Sequence, residues 1–333
     1  MKIAFLTTFY PPKWIGGTEI ASKNIVENLK KENDVEVITC EDKGKLKILK
    51  YLISSIKKLK KEKYEVIHCQ STFPAIAPYL LGKEYIIYCR GSDVYFPNWW
   101  QKIINRIVLK KARKILVLTK DMQEKVKKEY KLDSQIISNG INLEKFEKIS
   151  REKSRKGFGL KKELIILYVG TLKKIKGVKY LIEAFNEIKD KNIFLWIIGD
   201  GEEKENLKKI SKNKNMIFLG KKENKEIPNF MKSADIFVLP SLSEGFPNSI
   251  LEAMASGLPI ISTKTKGIPE IVKKENGILV PIRNSQEIKY SLIELLKSPK
   301  KREYFSNNNL KEIKNYSWEK VCNQLERVYS TLK

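Results

Sequence analysis

Short runs of branched and aromatic residues alternate with amphipathic stretches from one end of the chain to the other. In the first half these runs predict strands at residues 2–6, 35–39, 65–69, 85–88, 114–118 and 135–137. In the second half they predict strands at 164–169, 193–198, 216–218, 235–239 and 259–262. Runs such as Ile236-Phe-Val-Leu239 are apolar without period-two alternation, the pattern of strands buried on both faces. Strands spaced by helical stretches then imply an α/β fold with parallel sheets covered by helices on each side. The charged segment Glu147-Lys-Ile-Ser-Arg-Glu-Lys-Ser-Arg-Lys156 breaks the alternation and reads as irregular. It marks an expected boundary between a domain at 1–148 and one at 149–315, followed by an amphipathic helix at 316–333. A chain of 333 residues is long enough for two such cores.

One stretch carries more chemistry than the rest. The apolar run Ile236-Phe-Val-Leu239 is followed by Ser241-Leu-Ser-Glu-Gly-Phe-Pro-Asn-Ser-Ile-Leu-Glu-Ala-Met-Ala-Ser-Gly-Leu-Pro-Ile260, which sets Glu244 and Glu252 in an E-x7-E spacing. Ser249-Ile-Leu-Glu252 has the S-x-x-E form of a capping box, so a helix is expected to start there with Glu252 in its first turn. Glu244 falls in the loop at the carboxyl end of a strand, where open α/β sheets place ligands. Helix-start amides favour a phosphate, and carboxylates accept from sugar hydroxyls. A loop offering both suits a sugar phosphate, although Glu252 read alone is explained as a cap.

Composition narrows the field. Four scattered cysteines, Cys40, Cys69, Cys89 and Cys322, form no C-x-x-C pair, which fits a reducing, cytoplasmic location and gives no zinc site. The single histidine, His68, ends the apolar run Val66-Ile67 and reads as structural. No metal-ligand set is visible, and no apolar run approaches the ~20 residues of a membrane span. The net charge of +26, from 65 Lys and Arg against 39 Asp and Glu, draws attention to polyanions. No nucleic-acid-binding module accompanies it, so no nucleic-acid partner is expected.

The string from Pro240 through Glu244, Gly245, Phe246, Pro247 and Asn248 to Glu252, Ala253, Met254, Ala255, Gly257 and Pro259 resembles the donor-site signature of retaining glycosyltransferase family 4. The resemblance implies a GT-B fold: two doubly wound Rossmann-like domains with a cleft between them, the last helix crossing back to the first. It implies hexose transfer from a UDP- or GDP-linked donor to an acceptor hydroxyl with retention, with no cofactor beyond that donor. By the same resemblance Glu244 holds the transferred sugar, Glu252 holds the ribose diol, and Gly245, Phe246 and Pro247 present backbone amides. Gly170-Thr-Leu-Lys-Lys-Ile-Lys-Gly-Val178 is similar to the family's phosphate-clamp loop. Lys176 and Gly177 match it, whereas Thr171 stands where the family has arginine. Lys173 or Lys174 can replace that charge, without its planar fork.

Phe9-Tyr-Pro-Pro-Lys-Trp-Ile-Gly-Gly-Thr-Glu19 is similar to the family's first loop, where Gly16 and Gly17 let a ligand approach. In Cys89-Arg-Gly-Ser-Asp-Val94, Arg90 replaces the family's frequent histidine. It cannot act as a base, but can stabilise a leaving phosphate or meet an acidic acceptor group. Asp93 reads as a sugar contact or as a turn former.

Two basic amphipathic stretches bear on location. In 43–63, Leu49, Leu52, Ile53, Ile56 and Leu59 form one stripe beside several lysines, and Trp99-Trp-Gln-Lys-Ile-Ile-Asn-Arg-Ile-Val-Leu-Lys110 repeats the theme. Such helices either cover a sheet or lie on an anionic bilayer. The expected partners are thus a nucleotide sugar, a glycan or lipid-linked acceptor, and an anionic membrane at its cytoplasmic face. A glycosidase or a non-catalytic sugar binder of the same fold is the alternative.

Overall fold

The structure, a computed structural model, describes residues 1–14, 16–41, 44 and 46–332. Two compact units emerge, residues 1–140 with the C-terminal helix Trp318–Ser330, and residues 141–317. Each is an open, wholly parallel six-stranded sheet flanked by helices.

In the first unit the strands are β1 (Lys2–Thr7), β2 (Asp34–Ile38), β3 (Val66–Gln70), β4 (Ile86–Tyr88), β5 (Lys114–Val117) and β6 (Gln135–Ile136), in spatial order 2-1-3-4-5-6. β3 is buried along its whole length, its polar His68 and Gln70 included, as a strand covered on both faces is. The order reverses between β1 and β3, which leaves a crevice beyond their carboxyl ends. The C-terminal helix packs on the helix Gly17–Leu29. His68 fastens it to the sheet: Nδ1 is 2.7 Å from the Tyr329 hydroxyl and Nε2 is 2.9 Å from Gln70 Oε1, with the ring stacked on Phe5. The structural reading of this histidine therefore has a physical basis.

In the second unit the strands are β7 (Leu164–Val169), β8 (Ile193–Ile198), β9 (Met216–Gly220), β10 (Ile236–Leu239), β11 (Ile260–Thr263) and β12 (Gly277–Val280), in spatial order 12-11-10-7-8-9. The switch point lies between β7 and β10, which pair directly. β12 was not expected from the sequence. It is a four-residue edge strand that opens on a glycine, too short for periodicity to register.

The segment expected to be irregular contains the helix Arg151–Gly157, capped by Ser150, and its charges are used locally. Arg151 and Arg155 both pair with Asp235 at the start of β10, 2.6 and 3.2 Å away. Residues 141–148, placed with the first domain from the sequence, cluster with the second unit, because Ile141 and Phe146 are buried in its core.

The amphipathic stretch 43–63 forms a helix, as expected, over part of its length. Lys43 lies outside the described residues, and the helix Lys47–Lys61 buries Tyr51, Ser55 and Leu59 and leaves Leu49 and Ile53 exposed. Only one residue of the expected apolar stripe faces inward completely. No helix of the described residues is long and apolar enough to cross a membrane.

Candidate active site

The second unit's site is built by two loops at its switch point. The first follows β7 and runs from Gly170 through a 3-10 turn at Lys174–Lys176 to Gly177, where the helix Val178–Asn186 begins. The second follows β10 and runs from Pro240 to Pro247. Leu242 N donates to the Ile175 carbonyl at 2.8 Å, so the loops are joined main chain to main chain. Gly177 adopts φ +64°, and a Cβ there would collide with the Pro240 carbonyl. Only glycine permits that approach. Gly199, after β8, has φ +145° and touches the Gly170 carbonyl in the same way, so a third loop closes on the first.

This stitching brings Lys176 and Glu244 together. Lys176 Nζ forms an ion pair with Glu244 Oε1, the side chains being 24% and 12% exposed. Ser241 Oγ donates to the same carboxylate oxygen at 2.9 Å, and the Ser241 carbonyl is held by the Thr263 hydroxyl. Partly desolvated and charge-assisted, the pair is positioned from three strands. Ser243 Oγ, in the same loop, is enclosed without a hydrogen-bond partner. Sequence reasoning missed Ser243, which occupies an unassigned position between Ser241 and Glu244.

Glu252 corrects the capping-box expectation. The helix spans Asn248–Ala255 with Pro247 as its N-cap residue, at φ −78° and ψ 118°, and no side chain caps it. Ile250 N already bonds to the Pro247 carbonyl at 3.1 Å, so Ser249 lies inside the first turn and Glu252 in the second. Set in the second turn, away from the helix start, Glu252 is half-buried. Burial pushes it up to about 7, opposed by the nearby Lys145 charge. Glu252 is therefore an acid near its midpoint at neutral pH, and the cap no longer accounts for it.

The other predicted groups surround these. Gly245 and Phe246 are half-buried and Pro247 is buried. The Phe246 ring packs on Tyr316, with centroids 6.1 Å apart, which fixes the loop. Asn248 opens the helix beside Glu252. Thr171 is exposed, and its carbonyl accepts from the Tyr168 hydroxyl at 2.9 Å. Lys173 and Lys174 are exposed beside it.

Arg90 and the first-loop glycines belong to the first unit. Gly16 is the extended residue before the helix Gly17–Leu29, and Gly17 is its first residue. Arg90 lies over the Tyr88 ring, 4.7 Å from its centroid, and donates through Nη2 to Asn139 Oδ1. Its Nε and Nη1 are enclosed without a partner. Asp93 accepts from the backbone amides of Arg90 and Gly91 at 3.0 and 2.9 Å, the turn-forming role of the two weighed. Among the described residues no group of three His, Cys, Asp or Glu converges on a common point.

Comparison with known proteins places these features in a family. Residues 150–312 match the model of Glycosyl transferases group 1, and residues 15–145 match that of Glycosyltransferase Family 4. An uncharacterised glycosyltransferase of Methanocaldococcus jannaschii is 28% identical over 99% of this chain and 98% of its own. The UDP-Gal:alpha-D-GlcNAc-diphosphoundecaprenol alpha-1,3-galactosyltransferase of Escherichia coli is 30% identical over 77% of this chain and 72% of its own. Among solved structures, sucrose-phosphate synthase from Thermosynechococcus elongatus superposes with a TM-score of 0.89 at 19% identity, over 99% of this chain and 98% of that one. WaaG, a glycosyltransferase involved in lipopolysaccharide biosynthesis, does so at 0.76 and 18%, over 98% and 99%. Two family models that together reach into both sheets, and an enzyme 30% identical over most of its length, show that the chain belongs to the group 1 glycosyltransferases and is a glycosyltransferase of GT-B fold.

Proposed function

We propose that this glycosyltransferase moves a hexose from a UDP-linked donor to a hydroxyl of a lipid-linked or cell-envelope glycan, with retention at the anomeric carbon. The observation that carries the reading is the second unit's switch point, where Lys176 and Glu244 are paired between two loops and the second loop leads into the helix that carries Glu252. Nucleotide sugars have the matching parts: a diphosphate, sugar hydroxyls and a ribose diol. UDP is preferred as the base-bearing part because the Escherichia coli relative is named for UDP-galactose, and the acceptor class follows from the same name.

Lys176 and the amides ahead of the helix Asn248–Ala255 take the diphosphate. Glu252 accepts from the ribose diol and Glu244 from hydroxyls of the hexose. Binding requires Lys176 to exchange its Glu244 oxygen for a phosphate oxygen, which frees the carboxylate for the sugar. In the transfer step the acceptor oxygen bonds to the anomeric carbon on the face from which the diphosphate leaves. The anomeric carbon–phosphate oxygen bond breaks, and a phosphate oxygen takes the acceptor's proton. Charge builds on the leaving UDP, so the preorganised Lys176 does the stabilising work. Neither glutamate serves as a nucleophile and no metal is called for in this scheme. Turnover that survives a chelator checks the latter.

Membrane contact is part of the same reading. The helix Trp99–Lys111 turns Trp99, Ile103 and Ile107 outward, in the register of Lys102, Arg106 and Lys110, all of them exposed. An apolar row beside a basic row suits an anionic lipid surface. The function is tested by incubating the enzyme with UDP- and GDP-hexoses and a lipid-linked acceptor extract, following nucleotide release and the anomeric configuration of the product. UDP release with a retained anomer is expected. Release from GDP-hexoses alone, or an inverted product, overturns the assignment.

A further inference from the structure

The crevice at the first unit's switch point holds a pocket of about 460 Å³, within the range of small-molecule sites. Its two ends differ chemically. At the inner end lie Arg90, Gln70 and Glu19, at the carboxyl ends of β3 and β4 and on the first helix. At the outer end Ile48, Phe73, Phe96, Trp100 and Ile104 supply apolar wall. Phe96 is 58% exposed and Trp100 41% exposed, so this wall leaves the pocket rather than closing it. Trp99 and Ile103 on the helix that carries Trp100, and Leu49 next to Ile48, are exposed as well.

Arg90 is the unusual member. Of its guanidinium, Nη2 is bonded to Asn139 while Nε and Nη1 are enclosed with no partner. Enclosed donors without acceptors are costly, more so on a cation. Burial pulls Arg90 below the ordinary guanidinium range, with the Tyr88 and Asp93 groups opposing. Asp93 does not satisfy it, because its carboxylate is taken up by the Arg90 and Gly91 backbone amides. A cation with spare donors at the closed end, and an aromatic ramp at the open end, together describe an amphiphile with an anionic head.

We propose that this pocket binds the acceptor as an amphiphile, its phosphate-type head group against Arg90 and its apolar chain leaving over Phe96 and Trp100 onto the lipid-facing helix. Glu19 is then placed to accept from hydroxyls of the sugar next to the head. The inference rests on the acceptor reading above and deepens it: the anion is recognised within the first unit, and the chain is recognised as well as the sugar.

Calorimetric titration of the full-length protein tests it with farnesyl phosphate, ethyl phosphate, farnesol and dihexanoyl phosphatidylglycerol, each below its aggregation point. Farnesyl phosphate is expected to bind at least about tenfold more tightly than any of the other three, a factor that burial of about two methylenes supplies against ethyl phosphate and a charge-assisted contact to Arg90 supplies against farnesol. Arg90→Gln is expected to bring farnesyl phosphate down to the level of farnesol, and Trp100→Ala to weaken it at least about fivefold. Ethyl phosphate within threefold of farnesyl phosphate would show a plain anion site, and phosphatidylglycerol within threefold a bulk-lipid surface. Either overturns the proposal, as does a folded Arg90→Gln that binds like the wild type. If Arg90→Gln does not fold, the four ligands on the wild type decide alone. UDP titrated in the same buffer reads the donor site separately, so a failed donor assignment and a failed acceptor pocket are told apart.

Discussion

Lys176 Nζ and Glu244 Oε1 hold each other across the two loops of the second unit's switch point, although 68 residues separate them in the chain. Each was expected to meet a different part of the donor. Pairing keeps both half-buried charges compensated before the donor arrives and fixes where each stands when it does.

Removing either partner leaves the other uncompensated at the site, so the two substitutions should behave as one. Glu244→Ala and Lys176→Ala are each expected to lower turnover by at least about 10²-fold with the fold retained. The double variant is expected to be no worse than the more damaging single one. Steady-state rates of the three variants check this, and multiplicative losses would show that the residues act independently.

Glu252 gives the site a pH response. Its carboxyl titrates near 7 in the folded protein, so it ionises between pH 6 and 8, and the ionised form accepts from both hydroxyls of a diol. Affinity for a UDP-hexose, whose diphosphate diester does not titrate there, should rise up to about tenfold over that interval. Glu252→Gln should flatten the profile. Stability runs the other way. A carboxyl raised above its unfolded value stabilises fully below about pH 4.5, and this is lost as pH rises through 7.

His68 makes the opposite contribution from the first unit. Burial lowers it to about 4, opposed by its Gln70 hydrogen bond and assisted by the Arg90 charge. A histidine held below its unfolded value stabilises fully above pH 6.5. That stabilisation falls as pH drops toward 4, by at most about 3 kcal/mol. Urea unfolding at pH 7.5 and 5 should show this loss, and Tyr329→Phe should lower stability by about 1–3 kcal/mol by leaving a His68 nitrogen unpaired.

The outward row of the helix Trp99–Lys111 predicts sedimentation with anionic vesicles at low salt and release as salt rises. Trp99→Ser with Ile103→Ser should reduce the bound fraction several-fold without changing UDP binding, since both side chains lie on the surface of the first unit. Equal binding to neutral vesicles would remove the electrostatic part of this account.

Much of this was legible in the sequence where a signal is local and repeated. Runs rich in branched and aromatic residues announced eleven of the twelve strands, and the Pro240–Pro259 string pointed to the switch-point loop. Signals that depend on backbone state were not. Ser249-x-x-Glu252 has a capping-box form but lies within a helix already started by the Pro247 carbonyl, whereas Asn98-x-x-Gln101, which drew no notice, is a true box with both bonds at 3.0 Å. Asn98 has the extended backbone that a cap requires, and nothing in the residue types separates the two cases. The Lys176–Glu244 pair was out of reach for a different reason. It exists because Gly177 lets one loop rest on another, a tertiary contact that neither loop encodes alone. The enclosure of Arg90 likewise comes from Tyr88 and Asn139, far apart in sequence.

The central claim, a nucleotide-sugar site in the second unit, is tested most directly by thermal unfolding with a panel of nucleotides and nucleotide sugars, on the wild type and Glu252→Ala. A ligand present at a hundred times its dissociation constant adds about 2.7 kcal/mol to the folded state. The account predicts an upward shift with UDP and UDP-hexoses in the wild type that disappears in Glu252→Ala. A shift that survives in the variant, or a folded wild type unmoved by every nucleotide, would contradict it.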